Sequence, residues 1–124
     1  MSKPNIRISV APRFIPEQSN PDAGKYFFSY TITVVNRGNQ PCQLLSRRWL
    51  ITDGDGNEQT VVGEGVIGKQ PVINPGESFS YTSGVLLDSP VGTMEGSYTM
   101  LSEGEEPFEA AIEPFLLAFP GAIN

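Results

Sequence analysis

Glu58-Gln59-Thr60-Val61-Val62-Gly63-Glu64-Gly65-Val66-Ile67-Gly68-Lys69-Gln70-Pro71-Val72-Ile73-Asn74-Pro75-Gly76 has two incompatible readings, and the choice between them decides the fold. Gly63, Gly65 and Gly68 stand in the spacing G-x-G-x-x-G, directly after the strand-like run Glu58–Val62. In a dinucleotide-binding domain that spacing lies between a strand and a helix, and the helix N-terminus faces the pyrophosphate. Here Pro71 and Pro75-Gly76 break any helix before it can form. The alternative is a bent, exposed loop between strands. Its glycines supply positive φ, and Glu64, Val66, Ile67 and Lys69 are its displayed side chains.

Outward from this loop the chain reads as strands and turns. Ile6, Ile8 and Val10 alternate with polar residues until Pro12, which predicts an edge strand with a bulge or bend. Lys25 to Asn36 alternates most regularly. Tyr26, Phe28, Tyr30, Ile32 and Val34 form one face, expected to be the buried one. Gln43 to Thr52 is its return strand, with Leu45, Trp49 and Ile51 sharing one parity and pointing inward. Asp53-Gly54-Asp55-Gly56-Asn57 forms the tight connection to Glu58–Val62. Ser78–Val85, Thr93–Ser102 and Phe108–Phe119 complete seven or eight strands, with Glu103–Pro107 as a hairpin tip. There is no helix of any length and no internal repeat. Residues 1–124 are thus expected to form a single all-β domain, a two-sheet antiparallel sandwich of the immunoglobulin or fibronectin type III kind.

Composition narrows the function. The chain has no histidine, so the commonest general base and the best transition-metal ligand are missing. Its single cysteine, Cys42, forms no internal disulfide and excludes Cys/His zinc sites. With no apolar leader after Met1, this favours a cytoplasmic location. The longest apolar run, Phe115–Phe119, is too short to enter a membrane. All eight bases fall in residues 1–69, whereas residues 70–124 carry acids alone. A net charge of −6 with an acidic second half disfavours nucleic acid.

Two smaller constellations stand out. Asp53, Asp55 and Asn57 fit positions 1, 3 and 5 of a calcium loop, and Glu64 falls at position 12. The match is partial: position 6 is Glu58 rather than glycine, and Asp-Gly is ordinary hairpin chemistry. Arg47 and Arg48 are adjacent in a strand, so they point to opposite faces and cannot form one patch. One of the two is expected on the outer surface. Tyr98 is read as core, with a corner tyrosine bonding the backbone as the alternative.

Several runs together resemble the ApaG family. They are Leu44-Leu45-Ser46-Arg47-Arg48-Trp49, Ile51-Thr52-Asp53-Gly54, Gly63 through Pro71, Pro75-Gly76-Glu77-Ser78-Phe79, Tyr81-Thr82-Ser83-Gly84 and Pro90 through Tyr98. The resemblance covers nearly the whole chain and implies a fibronectin type III-like sandwich. It also implies diverse roles. Bacterial members have been tied to cobalt and magnesium efflux and to a neighbouring dinucleotide polyphosphate hydrolase. Related domains in F-box proteins and in a polymerase delta-interacting protein point to protein–protein binding. It supplies no catalytic residues.

The reading is therefore a non-enzymatic binding module that needs no cofactor and takes an unidentified protein partner. Its expected surface is Gly63, Glu64, Gly65, Val66, Ile67, Gly68 and Lys69, with Arg47 or Arg48 beside it. A pyrophosphate-containing nucleotide on the same loop is the first alternative. A divalent cation at Asp53, Asp55 and Glu64 is the second. Self-association is left open.

Overall fold

The computed structural model describes residues 4–122. Its strands are β1 (Ile6–Phe14), β2 (Tyr26–Asn36), β3 (Cys42–Asp53), β4 (Glu58–Glu64), β5 (Val72–Ile73), β6 (Ser78–Leu87), β7 (Val91–Ser102) and β8 (Phe108–Ala118). Two short 3-10 turns, Pro16–Gln18 and Pro21–Ala23, lie between β1 and β2. All strand pairings are antiparallel. One sheet runs β1-β2-β6; the other runs β4-β3-β7-β8, with β5 adding to β3 beside β4. Two such sheets face to face make the fibronectin type III-like sandwich. β1 packs beside β8 and closes one side, whereas β4 pairs with β3 alone.

The core follows from period-two alternation. Phe28, Tyr30, Ile32 and Val34 are buried, and Phe27, Ser29, Thr31, Thr33 and Val35 are partly exposed on the other face. Across the sandwich, Leu44, Trp49, Ile51, Met94, Tyr98, Met100, Ile112 and Leu117 close the core. Tyr30, Trp49 and Phe115 meet edge to face or tilted, the arrangement the ring quadrupoles favour.

Gln43–Thr52 is not the return strand of Lys25–Asn36: β2 pairs with β1 and β6, whereas β3 lies in the other sheet, because the chain crosses between the sheets after Asn36. Three further expectations need correction. Pro12 neither bends nor bulges β1, whose register to β2 is unbroken from Ile6 to Phe14. The flanking bonds explain this. Arg37 donates to Asn5 O (2.7 Å) and Ile15 donates to Phe27 O (2.9 Å), so the odd-numbered residues of β1 bond β2. The nitrogen of Pro12 faces away from β2, where no ladder partner needs an N–H. Second, β3 buries Leu44 rather than Leu45, because the register to β7 shifts between Leu44 and Ser46. The bulge moves the inward parity from even to odd numbers. Third, the proline-flanked Val72–Ile73 is a strand, and it buries Ile73.

Candidate functional site

Each glycine of the motif has its own geometric reason. In the β3–β4 register Gly63 lies opposite Arg47, and Arg47 lies opposite Tyr98 in β7. Arg47 shares the inward parity of Trp49, so its guanidinium must leave the sandwich sideways. It does so over Gly63, where an added Cβ would sit 2.8 Å from Arg47 Cζ. Beyond Gly63, Arg47 Nη1 donates to Glu64 O (3.1 Å) and Gly65 O (2.9 Å). Gly63 is the gap through which Arg47 clamps the loop.

Gly65 has φ 62°, and a Cβ there would lie 2.2 Å from Lys69 O. Val66 and Lys69 exchange two backbone hydrogen bonds of 2.8 and 2.9 Å. Between them Ile67 and Gly68 both have positive φ, 45° and 77°, the signature of a type I′ turn. Such a turn wants Asn-Gly or Gly-Gly; a β-branched residue at its first position is strained by about 1–3 kcal/mol. Ile67 is the one non-glycine residue with positive φ among the described residues, and it is 54% exposed.

The structure divides the predicted site residues. Glu64, Ile67, Gly68 and Lys69 are exposed on the loop. Gly65 and Val66 are not displayed: Gly65 is buried, and Val66, 1% exposed, anchors the loop in the core. Of the two arginines, Arg48 is the exposed one, on the outer face opposite Val62. Arg47 is committed to the loop carbonyls.

The cation triad is not assembled. Asp53 pairs with the start of the β3–β4 connection, whereas Glu64 lies at the far end of β4, about 20 Å along the strand. The Asp53 carboxylate accepts hydrogen bonds from Asp55 N (2.9 Å), Asn57 N (3.0 Å) and Asn57 Nδ2 (3.1 Å). The Asn57 side-chain bond chiefly holds its pKa below the usual carboxylate value. It is a turn-forming carboxylate.

Two features escaped the sequence reading. The first is a hydroxyl–hydroxyl hydrogen bond between Tyr81 of β6 and Tyr98 of β7, which joins the two sheets behind Arg47. Burial pushes Tyr81 up to about 12 and Tyr98 further up still. Both folded-state values exceed the unfolded value of about 10, so the native state holds its protons longer. Their contribution to stability is full below pH about 10 and drains away as pH rises through about 12. Urea unfolding between those limits should show a steep fall in stability that Tyr81→Phe/Tyr98→Phe flattens; an equally steep fall in the double variant would refute the assignment.

The second is a recess of about 470 Å³ lined by Pro4, Asn36, Cys42, Ser102, Pro107 and Phe108 among others. Its buried polar groups already have partners. Asn36 Nδ2 donates to Gln40 O (2.7 Å) and Ile73 O (2.8 Å), and Cys42 Sγ lies 3.1 Å from Ser102 Oγ. No buried polar side-chain atom among the described residues is left without a partner to orient a guest.

Comparison with known proteins agrees with this architecture. The family model described as the ApaG domain matches residues 16–102. A protein named ApaG from Azotobacter vinelandii is 53% identical, with all of both chains covered. Another from Pseudomonas syringae is 50% identical over 99% of this chain and 98% of its own. A crystal structure from Bordetella pertussis, described as an ApaA protein, is 48% identical with a TM-score of 0.93, covering 95% of this chain and 96% of that one.

Proposed function

This chain belongs to the ApaG domain family, and we propose that it acts as a non-catalytic binding module for a protein partner, engaged through the Gly63–Lys69 loop. The observation that carries this reading is Ile67. An apolar, β-branched side chain is held half exposed at a turn position that Asn or Gly would occupy without strain. Strain of this kind persists where the surroundings fix it, and it gathers at binding sites.

The loop's backbone favours this reading over the pyrophosphate alternative. The N–H groups of Gly65, Val66 and Lys69 are spent on Leu45 O, Lys69 O and Val66 O, so they do not converge on an anion. A direct cation role has little support, given the separation of Asp53 from Glu64. The catalytic inventory supports a binding role too: there is no histidine, and Tyr81 and Tyr98 are buried against each other. No helix among the described residues is long and apolar enough to cross a membrane. A cytoplasmic partner is part of the proposal.

Ile67→Asn tests it. Asparagine suits positive φ, so the variant should gain about 1 kcal/mol, a rise of a few degrees in Tm. Yet it should lose capture of the partner from a lysate of the source cells, because the apolar contact is gone. A stabilised variant with unchanged capture would place the binding surface elsewhere. A destabilised variant would make Ile67 a structural prop.

A further inference from the structure

Taking the binding-module reading as its premise, we propose that the open edge of β4 accepts an extended, lysine- or arginine-flanked segment of a partner as an added strand. The edge is free. Asp53 N donates to Asn57 O (3.0 Å) and Gly65 N donates to Leu45 O (2.7 Å), at the two ends of the β3–β4 ladder. Both bonds belong to the phase in which odd-numbered residues of β4 bond β3. The N–H and C=O groups of Glu58, Thr60, Val62 and Glu64 therefore point away from β3, where no strand among the described residues meets them. The Arg47 contact with Glu64 O has the geometry this phase requires.

The edge also lacks the usual defences. Exposed edges are normally blunted by lysine, proline or a bulge. β1 carries Pro12, and β8 carries Pro114 beside a register shift. β6 has no lysine, proline or register shift, but it carries no charged residue to select an occupant. β4 has no lysine, no proline and no register shift, and its Val62 is 67% exposed.

Charge selects the occupant. β4 begins with Glu58 and ends with Glu64. A second copy paired antiparallel over the whole strand would set Glu58 against Glu64 at both ends, and like charges opposite one another repel. A net charge of −6 on each chain adds to that repulsion. A segment with cations at its ends and a β-branched residue opposite Val62 meets complementary charge and apolar surface, with main-chain bonds supplying affinity.

The probe is the synthetic heptapeptide Lys-Thr-Val-Thr-Thr-Thr-Lys, titrated into the full chain with amide resonances as the readout. Expected are saturable shifts and slowed exchange at Thr60 and Val62. Binding should weaken at least about tenfold when both lysines become glutamate. It should be lost when the peptide's third and fifth nitrogens are methylated, or in Val62→Pro, whose missing N–H faces the edge rather than β3. Absent shifts, shifts confined to the 66–69 turn, or an N-methylated peptide that binds equally would each overturn the proposal. So would self-association that protects Thr60 and Val62, since the occupant would then be a second copy. Ile67→Asn keeps the two readings apart, because it should leave peptide binding intact. Peptide failure beside capture loss in Ile67→Asn would sink the edge alone; the converse pattern would sink the loop alone.

Discussion

Gly96→Ala is expected to destabilise the fold by about 4 kcal/mol or more, enough to leave much of a marginally stable domain unfolded. Gly96 lies within β7, opposite Trp49 of β3. A Cβ built there would sit 2.0 Å from Arg48 O, 3.0 Å from Arg48 C and 3.2 Å from Trp49 Cα. These are backbone atoms of a central strand and cannot swing aside as a side-chain tip can. On its other flank β7 is already irregular, with the register to β8 shifting between Met94 and Gly96. Relief of the clash requires β3 and β7 to separate, at the expense of ladder hydrogen bonds and of the packing of Trp49. Gly104→Ala is the control. Gly104 has φ 78° with nothing within 4 Å of the added methyl, so that variant carries only the left-handed penalty of about 1 kcal/mol. Urea unfolding of both variants decides the matter. A Gly96→Ala loss near that of Gly104→Ala would mean that β3 and β7 do not approach so closely.

The difference between these two glycines marks what the sequence could reveal. Gly104 follows Glu103 in an acidic tip, and its turn is legible from composition. The role of Gly96 depends on the neighbouring strand, which no local pattern encodes. The face of β2 was legible because Tyr26 to Asn36 alternates without interruption and no bulge disturbs it. The face of β3 was not. The bulge at Leu45 changes the phase halfway, so a single parity drawn through Trp49 and Ile51 puts Leu45 where Leu44 belongs.

The loop was half legible for similar reasons. Gly65 and Gly68 do supply positive φ, but so does Ile67, and no propensity argument places an isoleucine there. Gly63 bends nothing; it makes room for Arg47. That pairing was within reach of the sequence. The Asp53–Asn57 hairpin fixes the β3–β4 register, and counting outward along it sets Gly63 opposite Arg47. From sequence Val66 reads as a surface residue like its loop neighbours, since its burial depends on a chain reversal that only the assembled turn shows.

Phe28→Ala should lose about 3–5 kcal/mol. Phe28 is 1% exposed on the inner face near the start of β2, where it meets Phe14 edge to face with ring centroids 5.5 Å apart. Phe14 in turn packs on Phe119 at 4.9 Å, and Phe119 on Tyr26 at 5.4 Å. Removing the Phe28 ring withdraws the one member of this chain that is fully buried. The cavity lies between two sheets kept apart by the rest of the packed core, so little collapse is available to refill it. Its neighbour Phe27 gives the comparison. Phe27 faces outward and lies over Gly84, where an added Cβ would come within 2.4 Å of Phe27 Cζ. There the ring shields a strand glycine from water, and Phe27→Ala should cost about 1 kcal/mol, in the range of a cross-strand pair. The ratio of the two losses reads the orientation of β2 directly. Because side chains alternate, a slip of one residue would exchange every inward and outward position. A larger loss for Phe27→Ala than for Phe28→Ala, measured by denaturant unfolding at equal m-value, would show β2 reversed. The inner positions of β6, set by the same ladder, would then be reversed with it.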